Sequence, residues 1–131
     1  MKYVLLIYFS LIFIGVSQSY KSKESSIADG REIYNDFCIR CHLSDGKGTP
    51  GEIPPLAKSD YLLNDIDRSI YAIKYGLKGK ITVNSKEYNG VMENQGLDND
   101  EIADVMNYIL NSWGNSYSEL ITDDKVDKIK K

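Results

Sequence analysis

Two cysteines and one histidine are all the chain has of those residue types, and they stand together as Cys38-Ile39-Arg40-Cys41-His42. Two thiols three residues apart on a turn reach the two vinyl groups of one porphyrin edge, and the adjacent histidine then faces the iron. The run therefore has the spacing of covalent haem c attachment. Three other chemistries use paired cysteines. Structural zinc takes four ligands, and the sequence has no further cysteine or histidine to supply them. A thioredoxin-like dithiol opens a helix after a buried strand, whereas a helical pattern precedes the pair here. A plain disulfide stays open to an exported chain. The residues favour one haem c per chain, bound through Cys38 and Cys41 with His42 on the iron.

With a single histidine, the sixth position on the iron falls to Met92, Met106, a lysine, or water in an open site. Met106 lies in the middle of an apolar helical stripe and reads as core packing. Met92 follows Tyr88-Asn89-Gly90-Val91, where Gly90 lets backbone approach a flat cofactor and no helical stripe claims the sulfur. Met92 is the better ligand. A thioether favours ferrous iron, and two filled axial positions leave no place for a substrate on the metal, so such a centre passes electrons and is not an enzyme. Burial among apolar side chains works in the same direction, because low dielectric disfavours the extra charge of the oxidised state. The readings from other classes are a gas-binding haem sensor with a labile sixth ligand and a thiol-disulfide exchanger. The first predicts that ferrous protein takes up carbon monoxide, the second a colourless protein.

The elements that must hold these residues are mostly helical. Ser26 can cap a first helix over about 27–39, with Ile33 and Phe37 on one face and Tyr34 aligned with the cysteines. Gly46, Gly48, Pro50, Gly51, Pro54 and Pro55 make 43–58 a loop. Ile66, Ile70 and Ile73 predict a second helix from about Asn64 to Gly76. Ile81 and Val83 alternate before Asn84-Ser85-Lys86 and Tyr88, which suits a small hairpin within 80–92. Asp98 with Glu101 forms a capping box for a long helix striped by Ile102, Val105, Met106, Ile109, Leu110 and Trp113 and stopped at Gly114. Thr122 can cap a short helix that begins with Asp123 and Asp124 and ends toward Lys128, Lys130 and Lys131.

At 131 residues, 27% charged and 42% hydrophobic, the chain suits one soluble globular domain and is too apolar for disorder. A net charge of −3 argues against nucleic acid as a partner. Met1-Lys2, the apolar stretch Tyr3–Val16 and the small residues up to Ser19 have the layout of a secretory signal over 1–19. An uncleaved membrane tether through residues 3–19 is the alternative, although a span normally takes about 20 apolar residues. Residues 20–26 read as a flexible tether, 27–114 as the domain, and 115–131 as a C-terminal extension with a short helix. Export places the domain in the periplasm, free or tethered.

Gly30 and Tyr34, followed by Phe37, Cys38, Cys41 and His42, resemble the N-terminal helix of the class I monohaem c-type cytochromes, over about residues 27–114. Tyr108 is similar to the aromatic residue that faces that glycine across the family's helix crossing. The stretches Ile53–Leu56, Tyr88–Met92 and Asn111–Asn115 look like a subgroup found both as free carriers and as haem domains of larger respiratory enzymes. The resemblance implies an all-α cytochrome c fold, with three to five helices and long loops around one haem. It also implies Pro54 as the residue whose carbonyl orients His42, with Pro55 its neighbour. Implied too are a redox protein donor and acceptor and a monomeric carrier, or a dedicated haem subunit of a dehydrogenase or terminal reductase. Glu93 follows Met92 where many relatives have proline, which puts a carboxylate near the exposed haem edge.

Lys74, Lys78, Lys80 and Lys86 precede the methionine loop, and Glu93, Asp98, Asp100, Glu101 and Asp104 follow it. This asymmetry could orient a redox partner, but two solvated faces is the plainer reading. Tyr88 and Trp113 each carry a donor that could meet a haem propionate, though packing is the commoner role for both. Arg40, between the cysteines, reads as solvent-facing.

Overall fold

The computed structural model describes residues 21–131. The leader read over 1–19, its alternative as a tether through 3–19, and Tyr20 lie outside the described residues.

Ser22 caps the first helix, α1 (Lys23–Phe37), through an Oγ that accepts from the Ser25 N–H at 3.1 Å. The expected cap at Ser26, and with it the tether over 20–26, is corrected by four residues. Ser26 is 2% exposed, and its hydroxyl donates to Asp104 Oδ1 at 2.6 Å. Its residue type suits a cap, but a buried carboxylate far along the chain claims it. After Cys38 the chain makes one further turn, α2 (Ile39–His42). The long loop follows as expected, tied by a single bridge between Thr49 and Ile53.

Ser59 and Asp65 each cap a helix: α3 (Asp60–Asn64) through Leu62 N–H, and α4 (Ile66–Tyr75) through Arg68 N–H at 2.9 Å. The helix expected from Asn64 thus begins two residues later, with a separate turn before it. The hairpin of β1 (Leu77–Val83) and β2 (Lys86–Met92) starts earlier than expected. It turns on Asn84 and Ser85, both left-handed at φ 48° and 63°. That geometry suits the right-handed twist of a two-residue hairpin. Asp60 and Asn84 clip its tip to the start of α3, each backbone N–H donating to the other's side-chain oxygen at 3.0 and 2.7 Å.

The capping box at Asp98 and Glu101 opens α5 (Asn99–Ile109), which crosses α1. Gly30 sits at the crossing: a Cβ there would lie 2.0 Å from the Asp104 carbonyl oxygen and 2.9 Å from Tyr108 Cβ. No side chain fits. Thr122 caps α6 (Asp123–Lys128) as expected. The segment 115–131 is no loose extension, because Ile121 and Val126 are buried in the core with Ile102, Met106 and Leu110. Asn107, wholly buried, holds it there: its amide donates to the Ile121 carbonyl and to Ser26 Oγ, and its oxygen accepts the Ile121 N–H. The fold is mainly helical with one small hairpin, and among the described residues no helix is long and apolar enough to cross a membrane.

Candidate functional site: a cleft between an imidazole and a thioether

His42, the last residue of α2, is 9% exposed and lines an apolar cleft. Its Nδ1 lies 3.1 Å from the Pro54 carbonyl oxygen. A carbonyl only accepts, so Nδ1 carries the proton and the Nε2 lone pair is left for a metal. Burial lowers the imidazole pKa, and the Pro54 carbonyl opposes that without cancelling it. The ring is therefore neutral, the form that ligates iron.

Pro54 is itself held from several sides. Gly48 donates its N–H to the His42 carbonyl, and Leu56 and Ala57 donate theirs to Gly46. The Asn115 amide bolts the same loop to the end of α5: it donates to the Leu56 and Ile109 carbonyls and accepts from the Lys58 N–H. Gly48, at φ 61°, passes so close that a Cβ would meet the Ile53 carbonyl oxygen at 2.4 Å and that of Pro54 at 2.7 Å. Sequence reasoning counted Gly48 as one more turn former. Its contact with the carbonyl that orients the histidine shows only in three dimensions.

The opposite wall is the hairpin. Antiparallel pairing sets Leu77 against Met92, Gly79 against Gly90, Ile81 against Tyr88 and Val83 against Lys86. Alternation puts these eight residues on one face. Leu77, Ile81 and Met92 line the cleft, and a second cavity, reached past Gly79, Gly90 and Tyr88, shares them together with His42 and Pro54. Met92 and His42 therefore lie at the boundary of both cavities. Cys38, half-buried, lines the first and Cys41, exposed, the second, and the two are not joined in a disulfide. Burial pushes the Cys38 thiol up to about 11.

The remaining candidates fall into place around this space. Met106 is fully buried in the core and also lines the cleft itself, as Met92 does. No lysine lines either cavity. Lys74 is absent from any free basic patch, because its ammonium donates to the Val126 and Ile129 carbonyls. Asp104, at the acidic end of the proposed dipole, is likewise engaged internally by Lys21 at 2.5 Å. Arg40 is exposed, as expected. Trp113 packs against Tyr34 and Tyr108 with ring centres 5.1 and 5.6 Å away, and its indole N–H donates to the Ser44 carbonyl. That donor is taken.

An apolar slot with one neutral imidazole, two thioethers and two cysteines at its boundary fits an iron porphyrin linked through cysteine. Comparison with known proteins agrees with this fit. The family model for cytochrome c matches residues 27–113. Cytochrome c-552 of Thermus thermophilus is 42% identical over 94 residues, which are 68% of this chain and 71% of that protein. The cytochrome c subunit of the quinone alcohol dehydrogenase of Gluconobacter oxydans is 27% identical over 104 residues, covering 77% of this chain but 22% of the subunit. The chain belongs to the cytochrome c family, and with it carries covalently attached haem c and serves electron transport.

Proposed function

We propose that this protein is a one-electron carrier with His/Met axial ligation, and not itself an enzyme. Cys38 and Cys41 form the thioethers, His42 and Met92 hold the iron from opposite sides, and Pro54 fixes the imidazole. The observation that carries this reading is that a Pro54-bonded His42 and Met92 border the same apolar cleft. The bound haem supplies a reversible ferric/ferrous couple. The chain's own residues do the rest: His42, made more basic by its bond to Pro54, supports ferric iron, whereas the Met92 thioether and the apolar walls support ferrous iron.

The chain acts outside the cytoplasm, delivered there by the leader read in residues 1–19, as a monomer that meets a protein donor and a protein acceptor in a respiratory chain. The likeness to a dehydrogenase's cytochrome c subunit favours one second reading, a dedicated haem subunit of a larger complex. Co-purification with a stable partner would distinguish the two.

The test uses holoprotein made in a host that attaches haem. One electron per chain should titrate reversibly, and the ferrous form should be inert to carbon monoxide. Uptake of carbon monoxide by freshly prepared ferrous protein would replace the carrier by a gas-binding protein.

A further inference from the structure

Gly76 ends α4 at φ 86° and ψ 167°, a backbone conformation essentially restricted to glycine. It also comes close to the methionine loop. A Cβ at Gly76 would lie 2.9 Å from the Met92 carbonyl oxygen and 3.3 Å from the Asn94 nitrogen. A helix end without a side chain thus sits flush against the main chain that carries the thioether. Two observations show which side would yield to a side chain there. Lys74 and Tyr75, directly before Gly76, donate to the Ile129 carbonyl at 3.2 and 3.0 Å, so the end of α4 is tied down. Met92, by contrast, is the last residue of β2, and its pairing with Leu77 is the last rung of the hairpin. The Met92 side gives way first.

Beyond Met92 the main chain has few ties. Among the described residues, 93–97 make no backbone-to-backbone hydrogen bond, and none of them is a proline that would fix its own φ. Side chains hold this turn instead. The Gln95 amide donates to the Glu93 carbonyl at 2.7 Å, and the Asn94 side-chain oxygen accepts the Gly96 N–H at 2.6 Å. Gln95 lines the apolar cleft together with Met92, so its bond to Glu93 closes the turn at the cleft wall.

We propose that Gly76 and Gln95 are positioning residues for the Met92 sulfur: Gly76 seats the main chain of Met92 against the end of α4, and Gln95 closes the turn that follows. The inference rests on Met92 as the sixth ligand, as described under Proposed function. A thioether has no charge to draw it to a metal, so the fold has to supply its position. Held in place, the sulfur fills the sixth position and favours the ferrous state. Released, it leaves that position open to small ligands, and the potential falls.

The experiment compares holoprotein of the wild type with Gly76→Ala, Gln95→Ala, Gly51→Ala and Met92→Ala, each kept well below its melting temperature. The readouts are the ferric sulfur-to-iron band, carbon monoxide uptake by the ferrous form, and the midpoint potential. Gly51→Ala controls for backbone strain, because Gly51 has φ 80° but nothing lies within 4 Å of a Cβ there. Gly76→Ala should lose the band, take up carbon monoxide and show a lower potential. Gln95→Ala removes one hydrogen bond and should shift the ferric-to-ferrous ratio at fixed ambient potential about two- to tenfold toward ferric, the range of one net bond. Gly51→Ala should melt lower and keep all three wild-type readouts. Should Gly76→Ala yield no holoprotein, Gln95→Ala decides alone. A wild-type band and potential in either Gly76→Ala or Gln95→Ala, or an equal loss in Gly51→Ala, would overturn the positioning role while leaving the ligand in place. Survival of the band in Met92→Ala would overturn the axial reading, and the positioning role with it.

Discussion

At the scale of single residues, the site depends on groups that do no chemistry. Gly48 is one. Any side chain there runs into the Pro54 carbonyl, so Gly48→Ala should push that oxygen off His42 Nδ1. The imidazole then becomes less basic and ferric iron less stable, and the midpoint potential rises. Overpacking should also cost about 1–3 kcal/mol. Redox titration together with thermal melting checks both, and an unchanged potential would deny Gly48 this part.

Lys21 gives a prediction in pH. Burial alone would lower its pKa, but the carboxylates of Asp104 and Asp29 outweigh that and raise it above 10.5. A raised folded pKa means that the folded state holds the proton more tightly. The stabilisation is therefore complete below about pH 10 and disappears as pH climbs through the folded value. With its side chain 43% exposed, Lys21 contributes under about 1 kcal/mol. Melting curves of wild type and Lys21→Met should differ slightly at neutral pH and converge as pH rises past the folded Lys21 pKa; a gap that widened with pH would contradict the sign.

At the scale of elements, the crossing of α1 and α5 is the joint on which the haem-binding turn stands, because α1 leads straight into Cys38. Gly30→Ala must drive the helices apart where a Cβ would lie 2.0 Å from a carbonyl oxygen. We expect a loss of about 3 kcal/mol or more, at the upper end of overpacking costs, measured as a lower denaturation midpoint of holoprotein. A wild-type midpoint would show that the crossing yields. What could be read from the sequence here was local. The Cys-x-x-Cys-His run, the Asp98–Glu101 box and the Thr122 cap are each settled within a few residues, and the hairpin announced itself through Ile81, Val83 and the Asn84-Ser85 turn. Ser22 and Ser26 look alike in sequence as caps. Only Asp104, brought across the helix crossing, decides between them.

At the scale of the whole molecule, the C-terminal segment closes the core instead of trailing from it. Its apolar residues are too few and too widely spaced for a periodicity argument, and so 115–131 read as an extension. Yet Ile121 and Val126 are 2% and 0% exposed, and Lys74 and Tyr75 bond to the Ile129 carbonyl from α4. Truncation after Asn115 would uncover this core and leave the buried Asn107 amide and carbonyl short of partners. Large-to-small changes at single core sites already cost about 2–5 kcal/mol, so the truncated holoprotein should melt many degrees lower or fail to accumulate. Melting at the wild-type temperature would restore the segment to a dispensable tail.

The cleft itself was partly legible. His42 and the cysteines stood out by type and spacing and Met92 by elimination, while Pro54 came through family resemblance. Tyr61, which lines the cleft from α3, gave no signal, because nothing in its local sequence separates it from surface packing. The measurement that bears most directly on the axial pair is the absorption spectrum of ferric holoprotein for wild type, Met92→Ala and Met106→Ala. The long-wavelength sulfur-to-iron band should be present in the wild type and in Met106→Ala and absent from Met92→Ala. Its survival in Met92→Ala would show that another sulfur holds the iron.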